Sequence, residues 1–187
     1  MKRMFTIIIM CLLSITSALA QAISIDKTDV FTSERIIETY EYTLYRGEGH
    51  NCPLGYNIHI DNAGTVLIVR LGRVTDFQYA DSIVPKLKML NENGDIIILY
   101  GQNIYAKEEV ATSNIHWGFG ISTGSQVNVT NIKIDIPITK SEVQKIAESK
   151  ITNIQVEIGE NKYNYSLKKN DIRLLQMTFT DVMPYID

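Results

Sequence analysis

Residues 56–71 read YNIHIDNAGTVLIVRL, and this stretch decides the fold class. Its first half alternates apolar and polar side chains with a period of two, which is the pattern of a half-buried β-strand. The Asn62-Ala63-Gly64 segment is typical of a turn, because glycine readily adopts the positive φ that tight turns require. The run from Thr65 to Leu71 then returns beside the first strand. The stretch predicts an antiparallel hairpin with one face turned toward a core.

The same alternation recurs along the rest of the chain. Two of the repeats contain turn signals of their own, Asn93-Gly94 being the clearer because Asn-Gly favours tight hairpins. Together with the first hairpin they predict about eight or nine strands. The further alternating segments are 36–45, 84–100 with a turn at 91–94, 115–122, 131–138, and 154–167 with a turn at 159–162.

Two segments show helical spacing instead. Thr139 and Glu142 form a capping-box signature, in which each side chain pairs a free backbone N–H at the start of a helix. This signature predicts a helix over 140–149 that crosses from one sheet to another. Asp171 is predicted to cap a second helix near the C-terminus, where Thr178 and Thr180 leave a strand as the competing interpretation.

A sheet whose strands are apolar on one face must bury that face, and two such sheets packed face to face bury both apolar faces at once. Ile, Val and Thr make up 54 of the 187 residues, and such β-branched side chains favour sheets. We therefore expect a mainly β protein, an antiparallel β-sandwich with one crossover helix. An up-and-down β-barrel is the alternative, because successive hairpins would also build one.

The N-terminus has the parts of a secretory signal peptide. Lys2 and Arg3 precede an apolar run over 4–15, and Ala18-Leu19-Ala20 ends in the small-x-small pattern of a cleavage site. The run is shorter than the roughly 20 residues that span a membrane, so no transmembrane helix is expected. We predict cleavage after Ala20, export to the periplasm or the medium by a Gram-negative type of signal, and a single β-rich domain over 21–187.

Charge and cysteine content restrict the partners. Without the signal segment the chain has 16 basic and 21 acidic residues, a net charge of −5. This balance argues against nucleic acid as a partner, because nucleic-acid binding depends on clustered Lys and Arg.

Cys52 is the sole cysteine once the signal segment is removed, so no intrachain disulfide can form. The ordinary role of such a cysteine is to pack in the core as a small hydrophobic residue.

No catalytic motif is legible. His50, His59 and His116 lack the spacing of a metal site. Gly120-Ile121-Ser122-Thr123-Gly124 has the Gly-x-Ser-x-Gly spacing, but no helix is predicted to follow it, and a nucleophile elbow requires one. His50 and Cys52 sit together in a glycine-rich loop, also with no helix following to activate a thiol. We therefore predict no catalytic residue, no metal and no cofactor, and consider an enzyme less favoured than a binding protein.

The candidate binding residues are those that the alternation leaves on a polar or flat surface. His59 and His116 fall on the polar side of their strands. The glycines beside His116 leave the backbone open to close approach by a ligand. Tyr45 is out of phase with Tyr40 and Tyr42 in the alternation. The candidate binding residues are Tyr45, His59, His116, Gly118 and Gly120.

We expect the chain to be an exported, non-enzymatic β-sandwich protein that binds a protein or a glycan. A secreted hydrolase without a recognisable motif and a β-barrel carrying a small ligand are the alternatives, and the oligomeric state stays open.

Overall fold

The computed structural model describes residues 22–44, 52–75, 77–78, 83–117 and 121–186, and for 113–117 and 121–125 it describes the backbone alone. These residues form eleven strands and two α-helices. The strands are β1 (Ile23–Thr28), β2 (Arg35–Thr39), β3 (Tyr42–Leu44), β4 (Leu54–Asp61), β5 (Gly64–Val74), β6 (Lys86–Asn91), β7 (Ile96–Tyr100), β8 (Asn103–Trp117), β9 (Ile121–Pro137), β10 (Ile151–Ile158) and β11 (Asn161–Ser166). The helices are α1 (Lys140–Glu148) and α2 (Lys169–Val182), and a 3₁₀ turn over Met183–Tyr185 follows α2.

The strands form two antiparallel sheets. The seven-stranded sheet has the order β1-β2-β4-β5-β9-β8, with β3 paired to β4 beside β2, and the four-stranded sheet has the order β11-β10-β6-β7. Over the described residues both sheets are open, with edges at β1 and β8 in one and at β11 and β7 in the other. The predicted mainly β sandwich is confirmed, and the closed-barrel alternative is wrong.

The core lies between the inner faces of the two sheets, as the alternation predicts. The apolar positions of β5 and β9 are almost inaccessible and face those of β6 and β10; they include Leu67, Val69, Ile132, Ile134, Leu87, Met89 and Val156. Helix α2 closes the core, because its buried Leu175 and Phe179 line the same small internal cavity as Leu54 and Met89. Within the described chain no helix is both long and apolar enough to cross a bilayer.

Both predicted helices are present. The Glu142 N–H donates to Thr139 Oγ1 at 3.3 Å, and the Thr139 N–H donates to Glu142 Oε2 at 2.8 Å, which is the predicted capping box. Helix α1 connects β9 of the large sheet to β10 of the small one, confirming the crossover. In α2 the prediction needs correction, since Lys168 is the N-cap and Asp171 is the third helical residue, whose carboxylate accepts the Lys168 N–H at 2.9 Å.

The predicted strand over 36–45 is two strands, β2 and β3. Both pair with β4. Thr39 faces inward in step with Ile37, and the alternation breaks after it, where Tyr40 and Glu41 are both exposed. The Thr39 Oγ1 accepts the Ile58 N–H at 2.9 Å and so satisfies a buried donor. This irregularity places Tyr40 on the surface, so it does not share the buried face with Leu44 as the period of two suggested.

The predicted strand over 115–122 is also wrong. Trp117 pairs with Ile121, so the chain reverses direction between them and the segment is the end of a long hairpin made by β8 and β9. The β5–β9 pairing ends at Val74 and Thr130, so beyond that point the hairpin is a two-stranded ribbon among the described strands. The nine residues of β9 beyond that pairing, 121–129, span about 31 Å at 3.4 Å per residue. The sequence reading missed most of β8, because its polar residues show little alternation.

A candidate binding groove on the outer face of the large sheet

A groove of about 400 Å³ crosses the outer face of the seven-stranded sheet. Its volume lies in the range of small-molecule binding sites. One cross-strand row of residues forms its centre, in which each member pairs with the next in the backbone register. The row consists of Thr43 on β3, Gly55 on β4, Arg70 on β5, Lys133 on β9 and Tyr105 on β8.

Two glycines lower the floor of the groove to backbone level. A Cβ on Gly55 would lie 2.6 Å from Glu41 Oε1, and one on Gly72 would lie 3.1 Å from Pro53 Cγ. Glycine in a strand interior weakens the strand and commonly marks a place where another group approaches the backbone closely. At Gly55 that group is the Glu41 carboxylate, which lies over the floor beside Arg70.

Polar side chains make the two walls. On one side Arg70 Nη1 donates to Asn57 Oδ1 at 2.6 Å and lies 3.3 Å from Glu41 Oε2. On the other side Lys107 and Asn131 both donate to the Glu109 carboxylate, at 2.8 and 2.9 Å. The hydrogen bond from Lys107 lowers the pKa of Glu109 and raises that of Lys107, so this pair is fully charged at neutral pH.

Tyr105 stands at the open end of the row, on the edge strand β8. Its side chain is 53% exposed, and Lys133 Nζ lies 5.0 Å from the centroid of its ring. The same ammonium lies 3.1 Å from Asp135 Oδ1, which is two residues along β9 on the same face. The groove therefore combines an accessible aromatic ring with hydrogen-bonding groups of both signs.

His59 is the one predicted binding residue whose side chain is described. It lies on the outer face of β4, four residues past Gly55 and outside the groove. Its Nδ1 is 2.9 Å from Glu38 Oε1 and its Nε2 is 3.1 Å from Asp61 Oδ2, so both ring nitrogens already have carboxylate partners. In the part of the chain that the structure describes, no cluster of His, Cys, Asp and Glu has the arrangement of a metal site.

The other predicted residues lie mostly outside the described part. Tyr45, Gly118 and Gly120 fall there, as does His50. For His116 the backbone is placed, opposite Ser122 near the end of the hairpin ribbon, and the side chain is not described. The binding role of these residues thus remains a prediction.

Cys52 is buried, with 3% of its surface exposed. The hydroxyl of Tyr165 donates to the Cys52 carbonyl oxygen at 3.0 Å, so this contact ties the loop before β4 to β11. Burial raises the pKa of the Cys52 thiol, and burial likewise raises the pKa of Tyr165. A nucleophilic thiol needs the opposite shift, so the environment of Cys52 is that of a packing residue.

Sequence reasoning missed the groove itself. Its charged residues occupy the polar positions of their strands, where solvent exposure is the ordinary explanation. The signal that was available is Gly55, a glycine at the start of an otherwise alternating strand. Gly55 alone does not indicate which strands lie beside β4 in the sheet. The sequence therefore did not predict that Lys133 and Tyr105 lie in the same row as Gly55.

The fold and the groove define the class of this protein as a two-sheet antiparallel β-sandwich with an open groove on one outer face. Comparison of the chain with protein-family models, with curated proteins and with solved structures found no match. The function is therefore argued from the chemistry of the groove.

Proposed function

We propose that this chain is an exported, non-catalytic protein that binds a glycan in the groove. The observation that carries the proposal is the half-exposed ring of Tyr105, in register with hydrogen-bonding side chains above a glycine floor. An aromatic plane beside polar groups matches a sugar, which has a C–H-rich face and a rim of hydroxyls.

The groove residues can serve both parts of a sugar. Covering the C–H face with the Tyr105 ring removes apolar surface from water. Arg70 and Asn131 can donate hydrogen bonds to hydroxyl oxygens, and Glu41 can accept from hydroxyl hydrogens. Hydroxyls left unpaired on binding would lose affinity, so polar groups on both walls are what such a ligand needs.

The shape favours a chain of sugars. The lining reaches from Thr43 on β3 to Lys107 on β8, which is four strand spacings or about 19 Å at the usual separation of strands. A shallow, elongated surface of this length fits an oligosaccharide lying across the strands. A compact monosaccharide would occupy a fraction of it.

The groove supports binding more than hydrolysis. Glycosidases use two carboxyl groups on either side of the bond that breaks, one of them as a protonated acid, whereas Glu41, Glu109 and Asp135 each lie within 3.3 Å of a cation of the groove. The interior likewise offers little support for carrying an apolar ligand, because the internal cavity beside Phe179 holds only about 10 Å³. Ligands of drug size need several hundred cubic ångströms.

A glycan array probed with the purified chain is the first experiment. We expect binding to at least one class of oligosaccharide. The result that contradicts the proposal is an array without a signal above that of a sandwich protein lacking such a groove.

Substitution of Tyr105 by Ala should weaken binding of the glycan found on that array about tenfold, because the stacking surface is lost. Tyr100→Ala is the matched control, since Tyr100 is 57% exposed on β7 of the other sheet. Calorimetric titration measures the affinities, and thermal unfolding verifies that both variants are folded. Equal losses in the two variants, or none in Tyr105→Ala, would rule out stacking on Tyr105.

A protein partner is the second candidate, favoured by strand β7. This strand lies at the edge of the small sheet and exposes Ile96, Ile98 and Tyr100 on one face. Uncharged apolar edge strands can accept a further strand from another chain. A partner bound there would be lost in Tyr100→Ala and retained in Tyr105→Ala, the reverse of the result expected for the glycan.

Export is tested by the mass of the chain after expression in a Gram-negative host. We expect the periplasmic fraction or the medium to contain a product that begins at Gln21, because the pattern of residues 1–20 is that of a signal peptide. Ala20→Arg is expected to block cleavage after position 20. Full-length chain recovered from the cytosol would contradict the proposal.

A further inference from the structure

We infer that the glycan is acidic and that a carboxylate of one of its sugars binds between Arg70 and Lys133. This inference rests on the proposed function and names the class of sugar. Two cations lie side by side in the groove.

Arg70 and Lys133 are direct partners in the β5–β9 register, and their side chains lie on the same outer face. Directly opposed residues in an antiparallel pair have Cβ atoms about 4.5 to 5.5 Å apart, and like charges placed there destabilise the sheet. Lys107 lies two residues from Tyr105 along β8 and adds a third cation to the groove. An anion bound between these groups would relieve their repulsion.

Three cations line the groove of a chain that is acidic overall. The full sequence has 18 basic and 21 acidic residues, a net charge of −3. The described groove lining has Arg70, Lys107 and Lys133 against the single carboxylate of Glu41. Glu41, Glu109 and Asp135 lie within 3.3 Å of Arg70, Lys107 and Lys133, so each cation of the groove already has one carboxylate partner. A carboxylate of the ligand would bind by sharing the donors of Arg70 and Lys133 with Glu41 and Asp135.

Arg70 has donors left for such a ligand. Its contacts to Asn57 and Glu41 both use Nη1, and its side chain is 36% exposed. A guanidinium has five N–H donors, and an edge with two parallel donors fits the two oxygens of a carboxylate. The same fork also fits two oxygens of a tetrahedral anion, so the experiment has to separate a carboxylate from a sulfate.

The experiment compares each acidic oligosaccharide with its own neutral form. The probes are oligomers of galacturonic, glucuronic and mannuronic acid, and the same oligomers after reduction of their carboxylates to alcohols. We expect reduction to lower the affinity of the wild-type chain about tenfold or more, because a charge-assisted hydrogen bond is lost. The affinity for the acidic form should also fall as salt is raised.

Lys133→Gln should lower the affinity for the acidic oligomer about tenfold and so reduce the difference in affinity between the acidic and the reduced oligomer. The matched control is Lys88→Gln on the outer face of the small sheet. Lys88 also pairs with a carboxylate, that of Glu157, and its exposure is similar, 31% against 39% for Lys133. If Lys133→Gln fails to fold, the comparison of acidic and reduced oligomers on the wild-type chain decides the question.

The outcomes separate the two proposals. Equal affinity for acidic and reduced oligomers, binding of neutral glycans alone, or a requirement for sulfate would overturn the acidic-sugar inference and leave glycan binding in place. Failure to bind any glycan on the array would overturn the proposed function itself.

Discussion

Replacing Phe179 by Ala is expected to lower the free energy of unfolding by about 3 to 5 kcal/mol, the usual cost of truncating a buried aromatic residue. Phe179 is fully buried on α2. It lines the same small cavity as Leu67 of the large sheet and Met89 of the small one. Its removal would therefore open a void where the helix and both sheets meet, and the well-packed strands around it can collapse only in part.

Phe31→Ala is the matched control, because Phe31 is 97% exposed in the turn between β1 and β2. Its truncation should change the free energy of unfolding by less than about 0.5 kcal/mol, as is usual for surface positions. Urea denaturation followed by circular dichroism measures both variants. Similar losses in the two, or a loss below about 1 kcal/mol for Phe179→Ala, would show that α2 does not close the core.

Replacing Gly101 by Ala is expected to destabilise the fold by about 1 to 3 kcal/mol through overpacking. Gly101 lies where the chain leaves β7 of the small sheet and enters β8 of the large sheet, and its N–H donates to the Pro85 carbonyl at 2.9 Å. A Cβ there would lie 2.5 Å from Pro85 Cγ and 2.7 Å from Ile134 Cγ2. Gly101 does not have a positive φ, so the expected effect is one of contact and does not come from backbone strain.

A double-mutant cycle tests that explanation. Pro85→Ala removes the nearer of the two contacting atoms, so the added cost of Gly101→Ala should be smaller in the Pro85→Ala background. Urea denaturation of the four proteins gives the interaction energy. Strictly additive changes would mean that the contact with Pro85 is not the cause.

The hairpins were predictable because their determinants are local. Residues 56–71 form β4 and β5 nearly as their alternation and turn indicate, and the φ of +134° at Gly64 matches the need for glycine there. Helix α1 was equally predictable, since the Thr139 and Glu142 pair that begins it lies within one turn. The break after Thr39 was not, because the buried hydroxyl of Thr39 accepts the N–H of Ile58, which comes from another strand.

The alternation of side chains in the sequence by itself determined that this chain buries one face of each strand and turns polar groups outward. The tertiary structure alone decided which of those polar groups are neighbours. Arg70 and Lys133 are 63 residues apart in the chain and become partners only through the β5–β9 register, and Tyr105 joins them through the β8–β9 register. The physical reason is that cross-strand neighbours follow from the pairing of whole strands, where a slip of one residue would turn every side chain to the other face.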